Sequence, residues 1–140
     1  MIIYIPGDPV GKERPRVANG HAYTPEKTKA YEAKVAWAWK KKYPSHKPFQ
    51  RRTALSARVT ARFQPPKSES KKKRADMLNG KIRPTKIPDI DNICKALLDG
   101  SLGVCYEDDS SVVELTATKV YSESPGVLLE VREIDGANSP

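Results

Sequence analysis

Residues 88–112 read PDIDNICKALLDGSLGVCYEDDSSV, and the fold class turns on them. Ile90, Ile93, Cys94, Leu97 and Leu98 recur at i, i+3, i+4, i+7 and i+8, which lines one face of an α-helix with apolar side chains. The spacing predicts a helix over 88–100, with Gly100 as its stop. A turn follows, then the acidic run Glu107-Asp108-Asp109. After it Val113, Leu115 and Ala117 alternate with Glu114, Thr116 and Thr118, the period of a strand.

Working outward, Thr53–Phe63 alternates in the same way. Leu55, Ala57, Val59, Ala61 and Phe63 face one side, and Ser56, Arg58, Thr60 and Arg62 the other. This predicts a half-buried strand with a basic, wet face. Ile2–Ile5 reads as a short strand closed by Pro6-Gly7-Asp8-Pro9. Val10–Asn19 reads as an irregular or edge segment, and His21–Tyr23 as a short strand. Thr24 as N-cap and Pro25 as first residue open a second helix, which runs to Tyr43 and ends before Pro44. Tyr31, Val35, Ala38 and Trp39 form its buried stripe. Val127–Val131 is the last strand, joined to its predecessor through Ser124-Pro125-Gly126. Helices interspersed among mostly hairpin-like strands point to an α+β fold with one small sheet. A single domain spans 1–140, with a basic loop over 65–87, functional or mobile and with room for one short helix. Residues 135–140 read as a frayed tail.

The chain has 140 residues, too few for two independent catalytic domains. Lys and Arg number 25 against 17 Asp and Glu, a formal charge of +8, which favours a polyanionic partner. Cys94 and Cys105 form no CxxC pair and have no nearby His at zinc spacing, so they read as free thiols in a reducing compartment. No apolar run approaches the ~20 residues of a membrane span. The opening MIIYIPGD lacks the basic flank and cleavage site of a leader. The expectation is a cytoplasmic protein with no membrane contact.

Asp89 and Asp91 stand two apart at a helix start. Close carboxylates supply the oxygen ligands that Mg²⁺ prefers. Lys95 lies one turn beyond Asp91 on the same face, where an ammonium counters phosphate charge. A third acid comes from Asp108 or Asp109, after the turn. Acids from separate elements converging on one point are a usual construction for a metal-dependent phosphodiesterase. Each also has a plain structural role open to it. Asp89 is placed to cap the helix, Asp91 to favour its positive end, Lys95 to pair with Asp91, and the acidic run to form a polar loop tip. The bases Lys12, Arg14, Arg16, Lys71, Lys72, Lys73, Arg74 and Lys86 are either phosphate contacts or solvated charge. Trp37 and Trp39 are expected in a core or interface, and neither His21 nor His46 has an evident partner.

The stretch 88–112 resembles the signature of the RusA family of Holliday-junction resolvases. Asp89, Asp91, Asn92, Lys95, Asp99, Asp108, Asp109 and Ser110 match in order. The early PGDPVGKERPRV and the helix after Thr24-Pro25 are similar to the family's N-terminal half. The resemblance implies a small mixed sheet flanked by two main helices, a homodimer, and Mg²⁺-dependent nicking of four-way or otherwise branched DNA, with Mn²⁺ as a substitute ion. It implies service in recombination and repair, often in phages and prophages. By carry-over Asp89, Asp91 and Asp109 hold the metal, Asp109 being preferred over Asp108, and Lys95 is the catalytic lysine. Two other readings compete: a non-catalytic basic DNA-binding module, and a basic protein that docks on an acidic partner.

Overall fold

In the computed structural model, which describes residues 1–23 and 25–135, the chain begins with β1 (Ile2–Pro6) and the short strands β2 (Arg16–Ala18) and β3 (His21–Tyr23). Helix α1 (Glu26–Lys42), strand β4 (Leu55–Phe63), helix α2 (Lys71–Leu78) and helix α3 (Ile90–Ser101) follow. A 3-10 turn (Asp109–Ser111) leads into β5 (Val112–Tyr121), and β6 (Gly126–Glu133) closes the fold. Four strands form one sheet in the order β1-β6-β4-β5. Only the β4–β5 pair is parallel, so the sheet is mixed and the architecture is α+β, as expected.

The alternation in β4 decides which face is covered. Leu55, Ala57, Val59, Ala61 and Phe63 are all buried. In β6 the register partners of Ala57, Val59 and Ala61 are Val131, Leu129 and Val127, and the last two pair in turn with Ile3 and Ile5 of β1. Onto this apolar face pack α1, through Tyr31, Val35 and Trp39, and α3, through Ile93, Cys94 and Leu97. The two helices touch closely. Trp39 Nε1 donates to Ser101 Oγ at 2.8 Å, and Ser101 Oγ donates back to the carbonyl of Leu97 at 2.8 Å. Two polar groups are thereby satisfied inside the core, where leaving either unpaired would cost about 1–3 kcal/mol.

Several expectations need correction. Gly100 does not stop α3, which continues through Ser101. A Cβ there would lie 2.7 Å from Val35 Cβ and 3.0 Å from the Glu32 carbonyl oxygen, so the glycine is needed for close approach to α1. The left-handed residue of this turn is Gly103, at φ 85°. Ile90, on the apolar face of α3, is 38% exposed, and Ala38, counted in the buried stripe of α1, is only half-buried. Strands β5 and β6 do not form a hairpin, because β4 lies between them and Ser122–Pro125 steps across it. The tight hairpin is instead β2–β3, where Asn19 (φ 52°) and Gly20 (φ 77°) make a two-residue loop of left-handed backbone. Residues 65–87 contain the eight-residue α2, capped by Ser70, whose Oγ accepts from the Lys73 amide at 3.2 Å. Of the two tryptophans expected in a core or interface, Trp39 is in the core, and Trp37 is 61% exposed with the Lys41 ammonium over its ring. His46 does have partners: Nε2 meets the Cys105 carbonyl at 3.0 Å and the ring meets Phe49 edge-on. Helix α1 starts at Glu26 with Pro25 in the cap position. Thr24 and residues 136–140 of the expected tail lie outside the described residues.

Candidate active site

The wet face of α3 and the helix-side face of β5 enclose a groove of about 520 Å³. Along the helix it is lined by Asp91, Lys95 and Asp99, one turn apart, and by Ile90, Cys94 and Leu98 between them. The opposite wall is Leu115 and Ala117, and Asp109 enters from the 3-10 turn that precedes β5. Two carboxylates and the lysine singled out in the sequence therefore share one groove, although they come from elements 14 residues apart (109 − 95).

The local structure sorts the acidic run. Glu107 Oε2 accepts from the Arg51 amide at 3.2 Å. Asp108 Oδ1 accepts from the Ser110 amide at 3.0 Å, capping the turn, and Oδ2 pairs with Arg51 at 3.4 Å. The Ser110 hydrogen bonds, and then Arg51, hold the Asp108 carboxyl below the usual carboxylate range. Asp109 is the member of the run that reaches the groove.

Asp91 does stand in the first turn of α3, at its positive end, but the other plain roles open to the α3 residues are not taken up. Asp89 occupies the cap position, yet its side chain makes no capping hydrogen bond. Asp91 and Lys95 do not close their i,i+4 pair. Among the described residues no salt bridge engages Asp89, Asp91, Lys95 or Asp109, and all four are exposed. In a chain of charge +8, three carboxylates without a cationic partner form an unusual local arrangement.

The three acids do not form a closed cage. Asp89 is not among the groove-lining residues, and among the described residues no three His, Cys, Asp or Glu side chains gather closely enough to hold an ion by themselves. Mg²⁺ does not require such a cage. It is usually held by one or two carboxylates, with phosphate oxygens and waters completing its shell. The donor set of Asp91 and Asp109, all hard oxygen, fits that cation.

The predicted DNA contacts divide. Arg14, Lys71, Lys72 and Lys86 are exposed, with the Lys86 ammonium 5.5 Å from the Phe63 ring centroid. Arg16 and Lys73 are exposed but carry weak partners, Glu13 at 3.4 Å and Glu69 at 3.1 Å. Arg74 is half-buried, its Nε without a partner. Lys12 differs from all of these, because its ammonium is held by Glu32 at 2.8 Å and Asp99 at 3.1 Å. Asp99, matched in the family signature but given no role there, lines the groove at i+8 from Asp91. One further group escaped the sequence reading. Lys119 Nζ donates to the carbonyls of Pro88 (3.0 Å) and Lys86, tying the segment before Asp89 to β5, and no local pattern announces it.

Compared with known proteins, residues 6–132 match the family model described as Endodeoxyribonuclease RusA. The chain belongs to the RusA family. It is similar to a Bacillus subtilis (strain 168) protein described as "Uncharacterized protein YqaN", at 37% identity over 135 residues, covering 91% of this chain and 92% of that one. The RusA match takes in every element of the fold but β1, of which it reaches only Pro6, and stops one residue short of the end of β6; it includes the whole groove. Membership makes the chain a nuclease, a hydrolase of DNA phosphodiesters. No helix among the described residues is long and apolar enough to cross a membrane.

Proposed function

We propose that this RusA-family chain is a Mg²⁺-dependent, structure-selective endonuclease that resolves four-way DNA junctions by paired symmetric nicks during recombination and repair. The observation that carries the proposal is the groove itself: Asp91, Lys95 and Asp109 line it together, free of ion pairs among the described residues, in a chain of strongly positive charge.

Asp91 and Asp109, with Asp89 beside them in the chain, are the residues that would hold the cation. Bound there, a divalent ion would supply Lewis acidity toward a phosphate oxygen and would make water a better nucleophile. Lys95 sits one turn from Asp91 and offers its ammonium to the negative charge that grows on the phosphate. Ile90, Leu98, Leu115 and Ala117 give the groove apolar walls. The products are a 5′-phosphate and a 3′-hydroxyl. Arg14, Arg16, Lys71, Lys72, Lys73, Arg74 and Lys86 supply phosphate contacts, so recognition rests on shape and charge more than on base identity.

The reading includes a homodimer. A junction is nearly two-fold symmetric, and two chains bring 2 × 8 = +16 of formal charge to its crossing strands. Strand β5 offers an open sheet edge, with Val113 and Leu115 55% and 48% exposed.

A labelled four-way junction incubated with Mg²⁺, or with EDTA, tests the proposal. Paired nicks on opposing strands with Mg²⁺ and none with EDTA are expected. Salt-sensitive binding without nicking would overturn it in favour of a non-catalytic DNA-binding module, and no DNA retention at moderate salt would point to an acidic protein partner.

A further inference from the structure

Lys12 reads as a phosphate contact in the sequence, but its surroundings give it a different task. Its ammonium is buried enough that the side chain is only 15% exposed, and it bridges Glu32 of α1 and Asp99 of α3 at 2.8 and 3.1 Å. Its amide donates to the carbonyl of Asn92 at 2.8 Å, in the first turn of α3. The preceding Gly11 lies against the same turn, where a Cβ would stand 2.8 Å from Pro88 Cβ and 3.2 Å from Asn92 Cβ. The loop is therefore keyed into the segment that carries Asp89 and Asp91. Burial alone would depress the Lys12 ammonium, but the hydrogen bonds and charges of Glu32 and Asp99 outweigh it and hold its pKa above the usual lysine value.

The consequence concerns Lys95. On the groove face of α3 it is flanked by Asp91 at i−4 and Asp99 at i+4. Asp99 is the natural partner to draw its ammonium off the substrate, and a third carboxylate able to compete for the cation. Lys12 already occupies Asp99 from the α1 side. We propose that Lys12 is a positioning residue of the nuclease site: by engaging Asp99 and Glu32 it keeps Asp99 away from Lys95 and from the cation, and it locks the N-terminal loop to the turn bearing Asp89 and Asp91. This rests on the metal-nuclease reading given above.

The test compares wild type, Lys12→Met, Lys12→Arg and Lys12→Met/Asp99→Asn on a four-way junction. Three readouts are taken: kcat and KM with Mg²⁺, Mn²⁺ affinity of the DNA-free protein by electron paramagnetic resonance, and junction affinity against salt in EDTA. For Lys12→Met, kcat falls roughly 10- to 100-fold with KM little changed, as for other supports of metal sites. Its Mn²⁺ affinity shifts, while the slope of log affinity on log salt stays that of wild type. Lys12→Arg keeps the charge and recovers most of kcat, and adding Asp99→Asn to Lys12→Met recovers at least about half of the lost decades, because the freed carboxylate is gone. A salt slope reduced by about 0.9 with kcat retained would make Lys12 an ordinary phosphate contact and overturn the proposal. Failure of Asp99→Asn to rescue would overturn it as well. Should Lys12→Met not fold, Lys12→Gln, which keeps a donor for Glu32, is read by the same criteria. Wild type that does not nick with Mg²⁺ would sink the nuclease reading and this one with it, whereas wild-type nicking with a slope change would sink this one alone.

Discussion

Three neighbouring acids, Glu107, Asp108 and Asp109, have three different employments. The first accepts the Arg51 amide, the second caps its own turn and pairs with Arg51, and the third lines the groove. Asp109→Asn, like Asp91→Asn, should lower kcat at least about 10²-fold while junction binding in EDTA is kept or tightened, since a negative charge near phosphate is removed. Asp108→Asn should leave kcat within about twofold, as for surface changes away from a site. Single-turnover cleavage and gel-shift assays read both, and equal losses from Asp108→Asn and Asp109→Asn would contradict the assignment. The pair Asp91 and Lys95 was legible in the sequence because helical spacing is a local property. Lys12 was legible only as a charge. Its partners stand 20 and 87 positions away (32 − 12, 99 − 12), and no local pattern carries information over that span.

At the scale of elements, the core helices and β4 follow directly from apolar periodicity, because burial on one face needs nothing but that pattern. Elements fixed by turn chemistry or by strand order were harder. The Asn19-Gly20 pair is a strong hairpin signal, but it sits between strands of three residues with no buried position, so hydrophobic alternation could not support it. The separation of β5 from β6 depends on β4 inserting between them, a non-local event. Gly100 presents as a helix stop by composition and acts as a helix contact by geometry. Gly100→Ala should destabilise the fold by roughly 1–3 kcal/mol in urea unfolding, because the added methyl meets Glu32 backbone and Val35 rather than a flexible tip. Helix α2 carries Lys71 and Lys72 exposed to solvent. Replacing both with Ala should weaken junction binding and reduce the salt slope by up to about 1.8, twice the ~0.9 of one phosphate contact, with cleavage-site choice unchanged. An unchanged slope in a salt titration would make α2 a bystander.

The molecule as a whole carries buried acids of the weak kind. Burial pushes the Tyr31 hydroxyl and the Cys105 thiol up to about 12, and raises Cys94 and Tyr106 as well. Between about pH 9 and 12 the folded chain therefore retains protons that the unfolded chain has released. Stability then falls as pH rises through that window, and is fully present below it. Urea midpoints measured from pH 8 upward should decline, and the thiols should resist alkylation in the native state at pH 8. A flat profile would contradict the burial of these groups. The sheet order has a further outcome for biosynthesis. Among the described strands β6 leaves the ribosome after the other five, and it belongs between β1 and β4. Until residues 126–133 emerge, β1 has no strand partner and the apolar row of β4 has one flank bare. A nascent chain that still lacks β6 holds its hydrophobic surface open to aggregation, and completion of the sheet must wait until residues 126–133 have emerged.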